Sequence, residues 1–246
     1  ASAYRQLLSG LEDRFDVYAL DLRGHGRNTR PADPARLRSW RPFVDDACAF
    51  LDQSGQDGWT LAGHSMGAAT SVFSAMGRKD VASLKLIEPV AMPEWFSMAA
   101  KTPFWPLMTS AIPMVKQAAR RRDHWPDRED VRASYARKRL FSGWAPGVLE
   151  DYLEDGLTEA ENGVRLACAP AWESATFAAQ ANDFWRAAKA APAPIEVYAA
   201  DHPSSTVPAA IRARFERLGA AIRVNADVGH LAPMEKPAEL AAFLRQ

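Results

Sequence analysis

The residues best suited to chemistry are a serine set between glycines, Gly63-His64-Ser65-Met66-Gly67, and a histidine behind a glycine, Gly229-His230. A serine hydroxyl is a weak nucleophile. It attacks a carbonyl only with a base in hydrogen-bond reach, itself oriented by a carboxylate. Five residues of the form GxSxG recur by chance, so their surroundings carry the argument. An apolar run at 59–62 leads into the turn and small residues suited to a helix follow it, up to Gly77. That pattern predicts a strand, a sharp turn and a helix, with Ser65 strained at the tip and glycines at 63 and 67 leaving room for the turn. The Met66 N–H, first after the serine at a helix start, is then placed to donate to a developing oxyanion.

The chain has five histidines. His64 sits inside the turn and is expected to point away from the serine, in a structural role or at the edge of the substrate pocket. His25 lies between glycines and reads as a locally bonded loop residue, His124 as surface and His202 as solvated. His230 follows the last expected strand, where a loop projects an imidazole over the strand ends, so it is the expected base. For the acid, Asp201 follows the strand expected at 195–199 and is favoured. Glu88, ending the strand expected at 81–87, is its rival, and otherwise lines the mouth of the site.

Strands at 15–20, 59–62 and 81–87, with helices at 3–13 and 39–54, are expected from the apolar spacing. From 89 to 190 the pattern changes. Six of the eight tryptophans fall there, with arginine runs at 120–122 and 137–139 and helical spacing at 129–141, 147–155 and 171–190, but no strand pattern. The alternation then resumes: strand 195–199, helix 207–218, strand 221–225, helix 236–245. The expectation is an α/β fold with a mostly parallel sheet flanked by helices. Its core is 1–88 with 191–246, and 89–190 is a helical insertion after the third visible strand.

Composition narrows the partners. At 246 residues and 48% hydrophobic, the chain suffices for one sizeable core with an inserted subdomain. Its zero net charge offers no field for nucleic acid or anionic membrane, and no apolar run approaches the ~18 residues of a span. Two cysteines make neither a disulfide framework nor a metal site. A small-molecule substrate, no cofactor, no metal and a cytoplasmic setting are the expectations; oligomeric state is not indicated.

With Asp21-Leu22-Arg23-Gly24-His25-Gly26 after a strand, GHSMG at the turn, Asp201 after the penultimate strand and Gly229-His230 with Pro233 and Pro237 after the last, the chain resembles capped serine hydrolases of the α/β-hydrolase fold. The resemblance covers most of the chain outside the insertion. It implies a Ser65–His230–Asp201 triad in the order serine, aspartate, histidine. It also implies two-step acyl transfer through an acyl-enzyme, and an insertion acting as a cap. Trp95, Phe96 and Trp105 then suit an apolar acyl or alcohol group, or the insertion's own core. The family's chains begin with further strands and a loop giving a second oxyanion N–H, so strands and that donor are expected upstream of Ala1. Carbon–carbon bond hydrolysis, acyl transfer to another acceptor, and ligand binding without turnover are the alternatives.

Overall fold

A computed structural model describes residues 1–246. They form two compact units: residues 41–97 with 182–246, and residues 1–40 with 98–181. In chain order the strands are β1 (Trp59–His64), β2 (Val81–Ile87), β3 (His124–Trp125), β4 (Leu157–Ala160), β5 (Gly163–Leu166), β6 (Ile195–Ala200) and β7 (Ala221–Asn225).

The first of these units holds a sheet of order β1-β2-β6-β7, parallel throughout. β2 and β6 are largely apolar and mostly buried because both faces of a parallel sheet are covered, and their charged Lys85 and Glu196 pair with each other. Leu84, Leu86, Val197, Tyr198 and Ala199 are buried there. The helix Met66–Ser74 lies against β1 and β2 and buries Ala68, Ala69 and Val72. Its small side chains let its axis come close to the strands. A second layer of rings seals that side, with Phe184 edge-on to Phe73 at 6.3 Å and to Phe215 at 5.8 Å.

The other unit departs from expectation in two ways. Residues 15–20 form no strand: Phe15, Tyr18 and Leu20 are exposed, and the segment pairs with neither sheet. Aromatic and β-branched residues favour a strand only where a neighbour accepts the ladder, and here none does. The insertion, expected without strands, contains the antiparallel sheet β3-β5-β4. These strands were too short for a readable alternation. They close a core of Trp125, Val131, Tyr135, Leu153, Leu157, Val164 and Leu166. Arg121, from the arginine run at 120–122, donates to both Glu173 oxygens at 2.8 and 3.0 Å and to the Tyr135 and Tyr152 hydroxyls at 2.9 and 3.1 Å.

Residues 1–40 cluster with 98–181. Long-range polar contacts account for this. Arg5 reaches Asp151, Arg27 reaches Asp155, and the Trp172 indole donates to the Arg23 carbonyl. No helix is long and apolar enough to cross a membrane.

The two glycines flanking the serine are not equivalent. A Cβ at Gly63 would lie 2.3 Å from the Gly67 carbonyl carbon and 2.5 Å from the Ala68 nitrogen, whereas one at Gly67 would meet nothing within 4 Å. Only Gly63 is demanded by the close approach of strand and helix. Gly63→Ala should therefore cost about 1–3 kcal/mol of unfolding free energy, as overpacking does. Gly67→Ala, near a helix start, should be neutral to within about 0.5 kcal/mol. Urea unfolding of both variants checks this, and equal losses would count against it.

Candidate active site

The carboxyl ends of the four parallel strands bring the reactive groups together. Ser65 is the residue between β1 and the helix Met66–Ser74, with φ 56° and ψ −119°, the strained turn expected from the sequence. Its N–H donates to the Ile87 carbonyl at 2.9 Å, and its own carbonyl accepts from Val90, so the turn is pinned to the end of β2. Met66 occupies the first helical position, where its N–H has no intrahelical acceptor.

His230 lies in the loop after β7. Its Nε2 is 3.1 Å from the Ser65 hydroxyl and its Nδ1 is 3.1 Å from Glu88 Oε2. Glu88, the rival acid, therefore occupies the position expected for Asp201. Asp201 has its side chain 61% exposed and paired with Arg212 at 3.2 Å. The sheet order explains the exchange. β2 lies directly beside β1, whereas β6 is one strand further away. From the end of β2 the longer glutamate side chain reaches back beneath the imidazole.

Glu88 is 0% exposed and sits at φ 47°, outside the usual range for a non-glycine residue. Burial alone would raise its carboxyl pKa. Hydrogen bonds outweigh that and leave it below the ordinary carboxylate range: from His230, from the Ala200 and Thr206 N–H groups, and from the Ser205 hydroxyl. The carboxylate is thus held ionised against the imidazole. None of Ser204, Ser205 or Thr206 stood out in the sequence. The Ser204-Ser205-Thr206 run after the β6 strand was the available signal, since hydroxyls at a strand's carboxyl end can reach a neighbouring strand-end carboxylate.

The histidine backbone is held as firmly as its ring. Ser204 Oγ accepts from the His230 N–H at 3.0 Å, and His64 Nε2 lies 2.7 Å from the His230 carbonyl, to which it must donate. The two imidazoles lie 4.9 Å apart. His64 is thus a support beneath the histidine loop. The remaining sequence candidates lie elsewhere. Trp95 is 65% exposed and edge-on to Phe96. Trp105 is buried and donates to the Ala178 carbonyl at 2.7 Å. His25 bonds within its own loop, to the Arg23 carbonyl, and His202 is exposed beside Ser204.

Burial, together with the neighbouring His230, depresses the His64 pKa from its usual value to about 4. A base that binds its proton more weakly when folded stabilises the fold fully above its unfolded pKa, about 6.5. That contribution is lost as pH falls towards about 4. His64→Asn should lower the melting temperature at pH 7 and lessen the decline between pH 6.5 and about 4. Thermal melts across that range test it, and parallel curves for the two proteins would contradict it.

The chain is similar to several known proteins. The chain is 28% identical over 250 residues to lipase LipV of Mycobacterium tuberculosis, covering 93% of this chain and 82% of that protein. It is 28% identical over 252 residues to the dihydrolipoyllysine-residue acetyltransferase component of the acetoin cleaving system of Cupriavidus necator, where it spans 97% of its own length but 58% of the relative. The solved structure of E-2-(acetamidomethylene)succinate hydrolase superposes with a TM-score of 0.76 at 19% identity, over 99% of this chain and 85% of that one, a likeness of fold alone. The sequence matches the alpha/beta hydrolase family over residues 1–243, and with that extent of match the chain belongs to the alpha/beta hydrolase family.

Proposed function

We propose that the protein is a serine hydrolase that cleaves a carboxylic ester, or a related acyl bond, through an acyl-enzyme. The observation that carries this reading is the hydrogen-bonded line from the Ser65 hydroxyl through His230 to the buried Glu88, 3.1 Å at each step. His230 Nε2 accepts the Ser65 proton as Oγ bonds to the substrate carbonyl carbon. Glu88 keeps the proton of Nδ1 in place, which fixes the tautomer and stabilises the imidazolium without taking the proton itself. The Met66 N–H donates to the oxyanion. His230 then gives its proton to the leaving alcohol. In the second half the same ring activates water, which attacks the acyl carbon and releases the acid and Ser65.

The lipase relative favours an ester substrate, and the acetyltransferase-component relative favours a second reading, acyl transfer from the same acyl-enzyme to an acceptor other than water. Product analysis with and without an added alcohol or thiol separates the two.

Short-chain p-nitrophenyl esters should give a burst of nitrophenol that Ser65→Ala abolishes, together with labelling by a fluorophosphonate. No burst and no labelling of the folded protein would favour ligand binding without turnover. Glu88→Gln should lower kcat/KM on the order of 10³–10⁴-fold, as loss of the orienting carboxylate does in serine hydrolases. Asp201→Asn should stay within about twofold, since surface changes away from the reacting groups have small effects. The reverse ranking would return the acid to Asp201.

A further inference from the structure

The side chain of Thr206 touches three parts of the site at once. Its Oγ1 lies 2.8 Å from the Glu88 main-chain oxygen, 3.3 Å from Glu88 Oε2 and 3.4 Å from His230 Nδ1. Its N–H donates to the same Oε2 at 2.8 Å. A hydroxyl has a single proton and two lone pairs. The hydroxyl's three neighbours cannot all be met by donation, and the distances select an allocation. The proton goes to the nearest acceptor, the Glu88 carbonyl. The lone pairs are then left to accept, and the donor within reach is the Nδ1–H that also points at Oε2.

We propose that Thr206 is a positioning residue of the hydrolase, resting on the Ser65–His230–Glu88 reading above. It anchors the Glu88 main chain, fixes Oε2 through its own N–H, and offers the imidazole N–H a second oxygen beside the carboxylate. The anchoring has a physical need. A glutamate at φ 47° is in a conformation that costs on the order of 1–3 kcal/mol for a side-chain-bearing residue and persists only when its surroundings over-determine it. Besides the Thr206 hydroxyl, the main-chain restraint on Glu88 is its own N–H, donating to the Tyr198 carbonyl at 2.8 Å. Without the hydroxyl, the Glu88 peptide is free to relax and carry the carboxylate away from His230. The second hydroxyl in the loop acts differently: Ser205 Oγ donates to Oε1 at 2.8 Å, the oxygen that does not face the histidine.

This assignment separates a positioning role from a packing role. Valine matches threonine in shape but lacks the oxygen, and serine keeps the oxygen but lacks the methyl. With a p-nitrophenyl ester, Thr206→Val should lower kcat about tenfold with KM within about twofold, the scale expected for one net hydrogen bond at a transition state. The rate constant for phosphonylation of Ser65 by a fluorophosphonate should fall in parallel. Thr206→Ser should recover most of both, and circular dichroism should show both variants folded. A Thr206→Val enzyme with wild-type kcat, a loss carried by KM, or a Thr206→Ser variant as impaired as the valine one would overturn the proposal. Glu88→Gln, measured in the same series, separates this failure from failure of the broader reading. If Glu88→Gln is crippled while Thr206→Val is not, Thr206 alone is misassigned. If Glu88→Gln reacts normally, the carboxylate has no role and the assignment of Thr206 falls with it.

Discussion

The site depends on one buried charge. An ionised carboxylate removed from water is tolerated only when its lone pairs are met, and Glu88 is met by the Ala200 and Thr206 N–H groups, the Ser205 hydroxyl and the His230 ring. Those partners come from the end of β6, the loop after it and the loop after β7. Satisfying one carboxylate therefore ties the chain ends of β2, β6 and β7 into a fixed relation. The same requirement sets the orientation of the imidazole, whose other nitrogen is thereby aimed at Ser65.

Strand order turns this local demand into a geometry. Because β1, β2, β6 and β7 are parallel, their carboxyl ends lie on one edge of the sheet. Neighbouring strands are about 4.8 Å apart, so a group at the end of β2 is within a side chain's length of one at the end of β1. Ser65 and Glu88 are interleaved at that edge: the Ser65 N–H donates to Ile87, and the Ser65 carbonyl accepts from Val90. Two strained residues, Ser65 at φ 56° and Glu88 at φ 47°, sit on adjacent strand ends and share a backbone bonding network. Rigid neighbours on both sides are what allow such conformations to persist.

The unit formed by residues 1–40 and 98–181 shows a different balance. Its core is a small antiparallel sheet with aromatic packing, and Tyr135 stacks on Phe141 at 4.8 Å. Arg121 is half-buried and held by one carboxylate and two tyrosine hydroxyls, so an arginine in a basic run becomes tied to the unit's core. Composition could not distinguish it from Arg120 and Arg122. The three are adjacent in sequence, and only their partners across the fold differ.

The strand–turn–helix around Ser65, the four core strands and the placing of His230 after the last of them were legible in the sequence, because each depends on local chemistry. Apolar runs of strand length, small residues at a helix start and a glycine at a close approach all act within a few residues. The choice of acid was not legible. Asp201 and Glu88 both end strands in sequence, and which one meets His230 is decided by the order of strands in the sheet, a non-local property. Likewise 15–20 carries residues favourable to a strand, yet a strand exists only where another backbone completes its ladder. The sequence by itself determined the family's elements and the turn that carries Ser65. The tertiary structure alone decided the carboxylate, its hydroxyl and amide donors and the support of His64, because these follow from which strand ends lie side by side.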